Sequence, residues 1–221
     1  MERRLGVLFT GGEGPGPQTI RRLLQPPPGF TGVVTVAADS GLALAQDACV
    51  EPEWIVGDMD SPGTEERLRR FNPERVIRYN TDKDYTDTEL AFDLLLKKGC
   101  PVIWVIGGGG GRTDHLFGIR DLFERGVPPR RWITASDDIH CVDGEGEAGV
   151  LEAAVEPGGL VSVFPLGTGP WKAESRGLKW PLDNVRWERG FYGLSNVAVT
   201  GDIVINAMRG RFMIVFPGVT I

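Results

Sequence analysis

The sequence predicts a chain in two parts: an α/β domain with a mostly parallel sheet and flanking helices, then an all-β sandwich. Three observations carry that expectation. Short apolar runs alternate with helical patterns over residues 5–125. Helical periodicity then stops at Gly126-Val127-Pro128-Pro129. Beyond it, short strand-like runs are separated by Gly, Pro, Asp and Asn.

In chain order, residues 5–9, 33–37, 54–56, 75–79 and 102–106 read as strands. Several are apolar without strict alternation, as expected for a parallel sheet covered on both faces. Helical patterns lie near 19–24, 42–48, 64–71, 89–98 and 115–125. The third opens with Ser61-Pro62, an N-cap followed by proline at the first helical position. The fourth is the clearest: Thr86 and Glu89 form a capping-box pair, and Leu90, Ala91, Leu94 and Leu95 follow at helical spacing. Repeated β–α units imply a parallel sheet. Right-handed crossovers then bring every strand's carboxyl end to one edge. In the second half, residues 139–142, 160–164, 197–200, 203–205 and 212–216 read as strands of a small sandwich or barrel. The boundary is placed to give domains 1–137 and 138–221, although residues 132–135 also suit a last strand of the first sheet.

Thirty acidic residues against twenty-four basic ones give a net charge of −6, which argues against a groove that tracks a nucleic-acid backbone. No apolar run approaches the ~20 residues that cross a bilayer. Met1-Glu2-Arg3-Arg4 leads into a short apolar run without a cleavage-like site, so a cytoplasmic location is expected, with neither membrane nor nucleic acid as partner. Cys49, Cys100 and Cys141 follow no metal or disulfide spacing and are expected as small buried hydrophobes.

Ligands of open α/β sheets bind beyond the carboxyl ends of the strands. The segments that follow the five strands carry acidic residues, glycines or both: Thr10-Gly11-Gly12-Glu13, Asp39-Ser40-Gly41, Gly57-Asp58-Met59-Asp60-Ser61, the stretch from Asp82 to Asp87, and Gly107 to Gly111 with Arg112-Thr113-Asp114-His115. Carboxylates held this close repel and call for a cation. Oxygen ligands without His or Cys select Mg²⁺, which shares carboxylates with substrate phosphates. The five glycines are expected to leave backbone N–H groups open to a phosphate, with Arg112 forking onto its oxygens. The run is neither a Walker A loop nor a dinucleotide fingerprint. His115 reads as a helix-terminal and His140 as a structural histidine.

These blocks resemble the signature segments of the thiamine pyrophosphokinase family, and Gly177-Leu178-Lys179-Trp180-Pro181-Leu182 and Gly193-Leu194-Ser195-Asn196 look like that family's thiamine-binding β domain. The resemblance implies transfer of the β,γ-pyrophosphoryl group of ATP to the thiamine hydroxyl, with release of AMP. It implies a homodimer with active sites shared between subunits. It would give Asp58, Asp60 and Asp87 to Mg²⁺, and Lys83, Asp84, Thr86 and Asp87 to catalysis. Asp39, Ser61, Lys83, Arg112 and Asp114 would contact nucleotide, and Trp180, Ser195 and Asn196 would take thiamine from the partner subunit. Two departures stand out: Ser40 where the family often has glycine, and no asparagine shortly after Asp114-His115. Two other readings fit the same blocks. One is a pyrophosphokinase of another alcohol such as a hydroxymethylpterin; the other is a non-catalytic nucleotide or thiamine sensor.

Overall fold

In the computed structural model, which describes residues 3–60, 64–146 and 148–218, the chain divides into two units. One holds Met1–Leu122 and Arg131–Ser136, the other Phe123–Arg130 and Asp137–Thr220.

The first unit is a parallel sheet. Its strands are β1 (Arg4–Phe9), β2 (Gly32–Ala38), β3 (Trp54–Gly57), β4 (Val76–Arg78), β5 (Val102–Ile106) and β6 (Arg131–Ile133). They lie in the order β6-β5-β1-β2-β3-β4, with every pairing parallel. The helices are α1 (Pro17–Leu23), α2 (Gly41–Asp47), α3 (Thr64–Leu68), α4 (Asp87–Lys97) and α5 (Thr113–Leu122). Leu5, Val7 and Phe9 of β1 are fully buried in a core that includes Ile20 and Leu23 of α1 and Leu42 and Ala45 of α2. Strand alternation turns Gly6 and Leu8 the other way. On that face Gly6 lies so close to Leu95 of α4 and to Cys100 and Ile103 that a Cβ would stand 3.1–3.2 Å from them. Each buried Leu, Val, Ile or Phe side chain contributes about 1.5–3 kcal/mol.

The sheet's winding determines where a ligand can sit. Strands β1 to β4 advance in one direction, and β5 returns to the other side of β1. The crevice at that reversal is the place where such sheets receive ligands.

The second unit is a sandwich of two antiparallel sheets. One runs β11-β9-β13-β7 and the other β10-β12-β8. The strands are β7 (Asp137–Asp143), β8 (Val150–Ala154), β9 (Leu160–Leu166), β10 (Lys172–Arg176), β11 (Gly193–Val197), β12 (Asp202–Arg209) and β13 (Arg211–Pro217). Val161, Val163, Phe212 and Ile214 from one sheet meet Ala173, Ile203, Ile205 and Ala207 from the other in one buried cluster. Arg211 ties the unit's first segment in: it donates to the carbonyls of Phe123 and Arg125 and pairs with Asp143 at 2.9 Å.

The structure departs from sequence expectation in instructive places. The expected strand 75–79 shortens to Val76–Arg78 because Pro73–Arg75 closes a 3₁₀ turn capped by the Asn72 side chain. Strands β8 and β10 have few β-branched residues and form by pairing with β12. The expected strand 197–200 is displaced to Gly193–Val197. Past Val197 the N–H groups of Ala198 and Val199 bond the carbonyls of Gly159 and Gly177 instead. Cys49 is exposed, unlike the buried Cys100 and Cys141. It follows α2 in a left-handed turn at φ 58°. Ser61, with the expected cap of the third helix, lies outside the described residues. Among the described residues no helix is long and apolar enough to cross a membrane.

Candidate active site

The crevice beside β1 is closed by its own loops. Gly107 donates to Ile133 O at 2.9 Å, Gly108 to Gly11 O at 2.9 Å and Gly109 to Glu13 O at 3.0 Å. The Trp132 indole N–H donates to the Gly107 carbonyl at 2.8 Å. A Cβ on Gly107 would stand 2.3 Å from the Thr10 carbonyl, and one on Gly108 2.3 Å from Ile119. The backbone N–H groups of Gly107, Gly108 and Gly109 are therefore committed inside the protein, and the expectation that they cradle a phosphate is corrected. The glycines are there because two strand-end loops interlock at distances that a side chain would block. Gly111, with nothing within 4 Å, is the open end of the run and hands the chain to Arg112.

The open space lies next to this plug. A cavity of about 460 Å³ runs over the ends of β1 and β2, past Asp58, to the amino ends of α4 and α5. Asp39, Asp58, Lys83, Asp84, Thr86, Asp87, Arg112 and Asp114 all line it. Asp60 joins from its rim: one carboxylate oxygen each from Asp39, Asp58 and Asp60 lies within 4.8 Å of the others. Asp39 (φ 41°) and Met59 (φ 63°) occupy the left-handed region, which turns the chain sharply after β2 and β3.

Electrostatics tie these groups together. Lys83 Nζ sits 3.5 Å from Asp58 Oδ2 and 3.0 Å from Asp87 Oδ1, with all three side chains largely buried. Burial alone pushes Asp58 up, but the Asp60 backbone N–H and the Lys83 ammonium outweigh it and hold the carboxyl below the usual range. The Asp58 charge pushes Asp60 up. Burial pushes Asp87 up against the pull of Lys83. Burial opposes the charge on Lys83, yet hydrogen bonding and attraction to Asp87 raise its pKa on balance. Arg112 grips Asp114 through two exposed nitrogen–oxygen contacts and draws its carboxyl down to about 2. An oxygen-only trio of carboxylates beside one shared ammonium suits a hard divalent cation.

Some expected groups are spoken for. Thr86 caps α4: its hydroxyl accepts from the Glu89 N–H at 3.2 Å and donates to Glu89 Oε2 at 2.9 Å. In the sandwich unit, Asn196 is buried and braces Trp180. Its Oδ1 accepts from the Trp180 N–H at 3.1 Å, and its Nδ2 donates to the Trp180 carbonyl at 2.6 Å. Trp180 itself is 53% exposed, with Lys179 Nζ 4.7 Å from its ring centroid. Ser195, at φ 55°, donates its backbone N–H to Ser162 Oγ at 3.0 Å. His140 pairs with Asp138 at 3.0 Å and meets Phe216 edge-on, in keeping with a structural role.

Sequence reasoning passed over Thr88 and Tyr85, both on the cavity wall, and gave Thr10 no role of its own. It also treated Asp39 apart from Asp58 and Asp60. The common signal was available, since each of these residues lies within a few positions of a strand's carboxyl end or a helix's amino end.

The chain joins a parallel α/β unit with carboxylates gathered at one edge to an antiparallel β sandwich, and both the sequence and this architecture have known counterparts. Residues 32–125 match the family model described as thiamin pyrophosphokinase, catalytic domain. The thiamine pyrophosphokinase of Bacillus subtilis (strain 168) is 28% identical over 180 residues, 80% of each chain. The crystal structure of thiamine pyrophosphokinase from Bacillus subtilis superposes with a TM-score of 0.75 at 21% identity, covering 99% of this chain and 100% of that one. That from Geobacillus thermodenitrificans gives 0.72 at 22% identity and 98% of both chains. The Candida albicans enzyme gives 0.68 at 15% identity, with 97% of this chain and 89% of that one covered. Residues 32–125 are thus similar to the thiamin pyrophosphokinase catalytic domain, and the chain as a whole shares the fold of these solved structures.

Proposed function

We propose that this chain is a thiamine pyrophosphokinase that moves the pyrophosphoryl group of ATP onto the hydroxyl of thiamine. The observation that carries the reading is the convergence of Asp39, Asp58 and Asp60 with Lys83 and Arg112 on one cavity at the sheet's carboxyl edge. In balance, the thiamine oxygen bonds to the β-phosphorus of ATP as the bond from that phosphorus to the α-phosphate oxygen breaks. AMP leaves, and the hydroxyl proton passes to Asp84 or Asp87, which line the cavity, or to solvent.

Asp58 and Asp60, with Asp39 or Asp87, would hold Mg²⁺, which supplies charge neutralisation at the phosphates when bound. Lys83 and Arg112 neutralise polyphosphate from the protein side. Such a reaction depends on positioning and electrostatic complementarity more than on a strong base. Arg112 meets the nucleotide by exchanging Asp114 for phosphate oxygens. Thr86 acts by fixing the start of α4, and with it Asp87. Ser61 is kept as a nucleotide contact on the resemblance alone.

In this reading residues 1–137 form the nucleotide-binding domain and residues 138–221 the thiamine-binding domain. The protein works as a cytoplasmic homodimer in which Trp180 and Ser195 serve the partner subunit's cavity and Asn196 holds the Trp180 backbone in place for it. An exposed indole suits a thiazolium and pyrimidine through stacking and cation–π attraction, about 0.5–2 kcal/mol. The test is to incubate the purified chain with ATP, thiamine and Mg²⁺ and to follow AMP and thiamine diphosphate. Equal amounts of both are expected. A folded protein that releases no AMP overturns the reading, and faster turnover of a hydroxymethylpterin would reassign the substrate.

A further inference from the structure

The hydroxyls of Thr10 and Thr88 lie 2.8 Å apart. Thr10 directly follows β1 and is 5% exposed; Thr88 stands in the first turn of α4, next to Asp87, and is partly exposed. Both line the cavity. The contact therefore ties the sheet's central strand to the helix that carries Asp87. Thr10 is held from both sides, because its N–H donates to Ile106 O at 2.9 Å and its carbonyl packs against Gly107.

Two bonded hydroxyls have a fixed proton count. Each owns one proton, and their mutual bond consumes one, so one remains to be donated. If the buried Thr10 donates to Thr88, the remaining proton belongs to the more open hydroxyl, beside the cavity. The surrounding wall is rich in acceptors: Asp39, Asp58, Asp84 and Asp87 all face the same space. A neutral donor there has one class of incoming partner that it suits best, an anionic oxygen delivered by the ligand. Thr86 is not such a donor, since its hydroxyl proton is committed to Glu89.

We propose that Thr88 donates a hydrogen bond to a polyphosphate oxygen of the nucleotide, and that Thr10 is the positioning residue that orients the Thr88 hydroxyl for it. The inference rests on the nucleotide-binding reading of this cavity and adds a binding residue and its positioning partner.

The test measures ATP and AMP affinities by calorimetry in excess Mg²⁺ for the parent chain, Thr88→Val, Thr88→Ser, Thr10→Val and the double valine variant. A hydrogen bond to a charged acceptor predicts that Thr88→Val weakens ATP about tenfold. AMP, which lacks the β- and γ-phosphates, is expected to bind as it does to the parent, and Thr88→Ser restores ATP binding. Thr10→Val weakens ATP by a smaller factor, and the double variant binds ATP no more weakly than Thr88→Val alone. A contact that only fastens α4 to β1 would lower the melting temperature and shift ATP and AMP alike; that result overturns the proposal. So does unchanged ATP affinity in Thr88→Val when the parent binds both nucleotides. A parent chain that binds neither nucleotide overturns the underlying reading and the proposal with it. Should Thr88→Val fail to fold, the ATP-to-AMP affinity ratio of Thr10→Val decides: a ratio equal to the parent's overturns the proposal.

Discussion

Lys83 Nζ stands 3.0 Å from Oδ1 of Asp87, four residues further along, and holds that carboxylate at the mouth of α4. The same ammonium reaches Asp58 at 3.5 Å, so one cation bridges the loop after β3 and the start of α4. Replacing Lys83 by Met keeps the stem and removes the charge. Two largely buried carboxylates then lose their common partner, and in the proposed function the polyphosphate loses a fixed cation. The expected fall in kcat/KM is about 10²–10³-fold, the size seen on removing one preorganised electrostatic group. Steady-state AMP release checks it, and a change below threefold would show that Lys83 only organises the apo protein.

Asp58 and Asp60 predict a separation of stability from activity. The Asp58 charge already pushes Asp60 up, a sign of mutual repulsion. Asp60→Asn relieves that repulsion and is expected to melt no lower than the parent in the absence of divalent cations. With Mg²⁺ the order reverses. A cation that binds only the folded state raises the melting temperature by mass action, and the parent gains more than Asp60→Asn or Asp58→Asn. Chelation of Mg²⁺ should abolish AMP release by the parent. Melting curves with and without Mg²⁺ test the assignment, which fails if parent and variants respond alike.

The glycine run makes a contrast within five residues. Alanine at Gly107 would place a Cβ 2.3 Å from the Thr10 carbonyl, a backbone atom that cannot turn aside. Alanine at Gly111 meets nothing within 4 Å and carries only the strain of φ +72°. Gly111→Ala is therefore expected to cost about 1–2 kcal/mol. Gly107→Ala is expected to cost at least twice as much or to leave the protein unfolded. Urea unfolding of the two variants measures the difference, and equal destabilisation would refute the interlocked-loop account.

That contrast also marks where the sequence was legible. Strands β1, β2 and β5, the capping box at Thr86 and Glu89, and the burial of residues such as Val7 and Leu95 are local or periodic properties, and the sequence states them directly. The acidic edge followed from topology, because parallel strands send all their carboxyl ends one way. The role of the glycines was not legible, since it depends on Glu13 and Gly109 exchanging backbone hydrogen bonds across almost a hundred residues of chain. Strand β10, Lys-Ala-Glu-Ser-Arg, was missed for the same reason: its pairing with β12, not its composition, makes it a strand. Asn196 looked like a substrate contact by motif, while its hydrogen bonds show an amide turned into the protein.

The thiols offer a test of burial. Cys141 lies in β7, and burial pushes its pKa up to about 12 despite nearby Arg211 and Arg130. Burial also raises that of Cys100. Cys49 is exposed. Thiolate is the reactive form, so a chromogenic disulfide should titrate one thiol in the native protein and all three after unfolding. Cys49→Ser should abolish the native reaction. A second fast thiol in the folded protein would contradict the packing around β5 or β7.

Trp180 and Asn196 share a hydrogen-bonded frame but should fail in different ways. The indole is 53% exposed, so Trp180→Ala removes little packing and is expected to leave the melting temperature near the parent's. If the indole stacks on thiamine, the loss appears in thiamine KM, by about two- to thirty-fold for an interaction of about 0.5–2 kcal/mol. Asn196→Ala acts through the fold. It strands the Trp180 N–H and carbonyl and the Val197 N–H that the amide served in a part-buried setting, where each group left unsatisfied costs up to about 1–3 kcal/mol. That variant should melt lower and lose thiamine affinity together, because the backbone carrying Trp180 is released. Asn196→Ala with a parent-like melting temperature and a raised thiamine KM would instead make the amide itself a substrate contact. Melting curves and thiamine kinetics on the same two variants separate these outcomes.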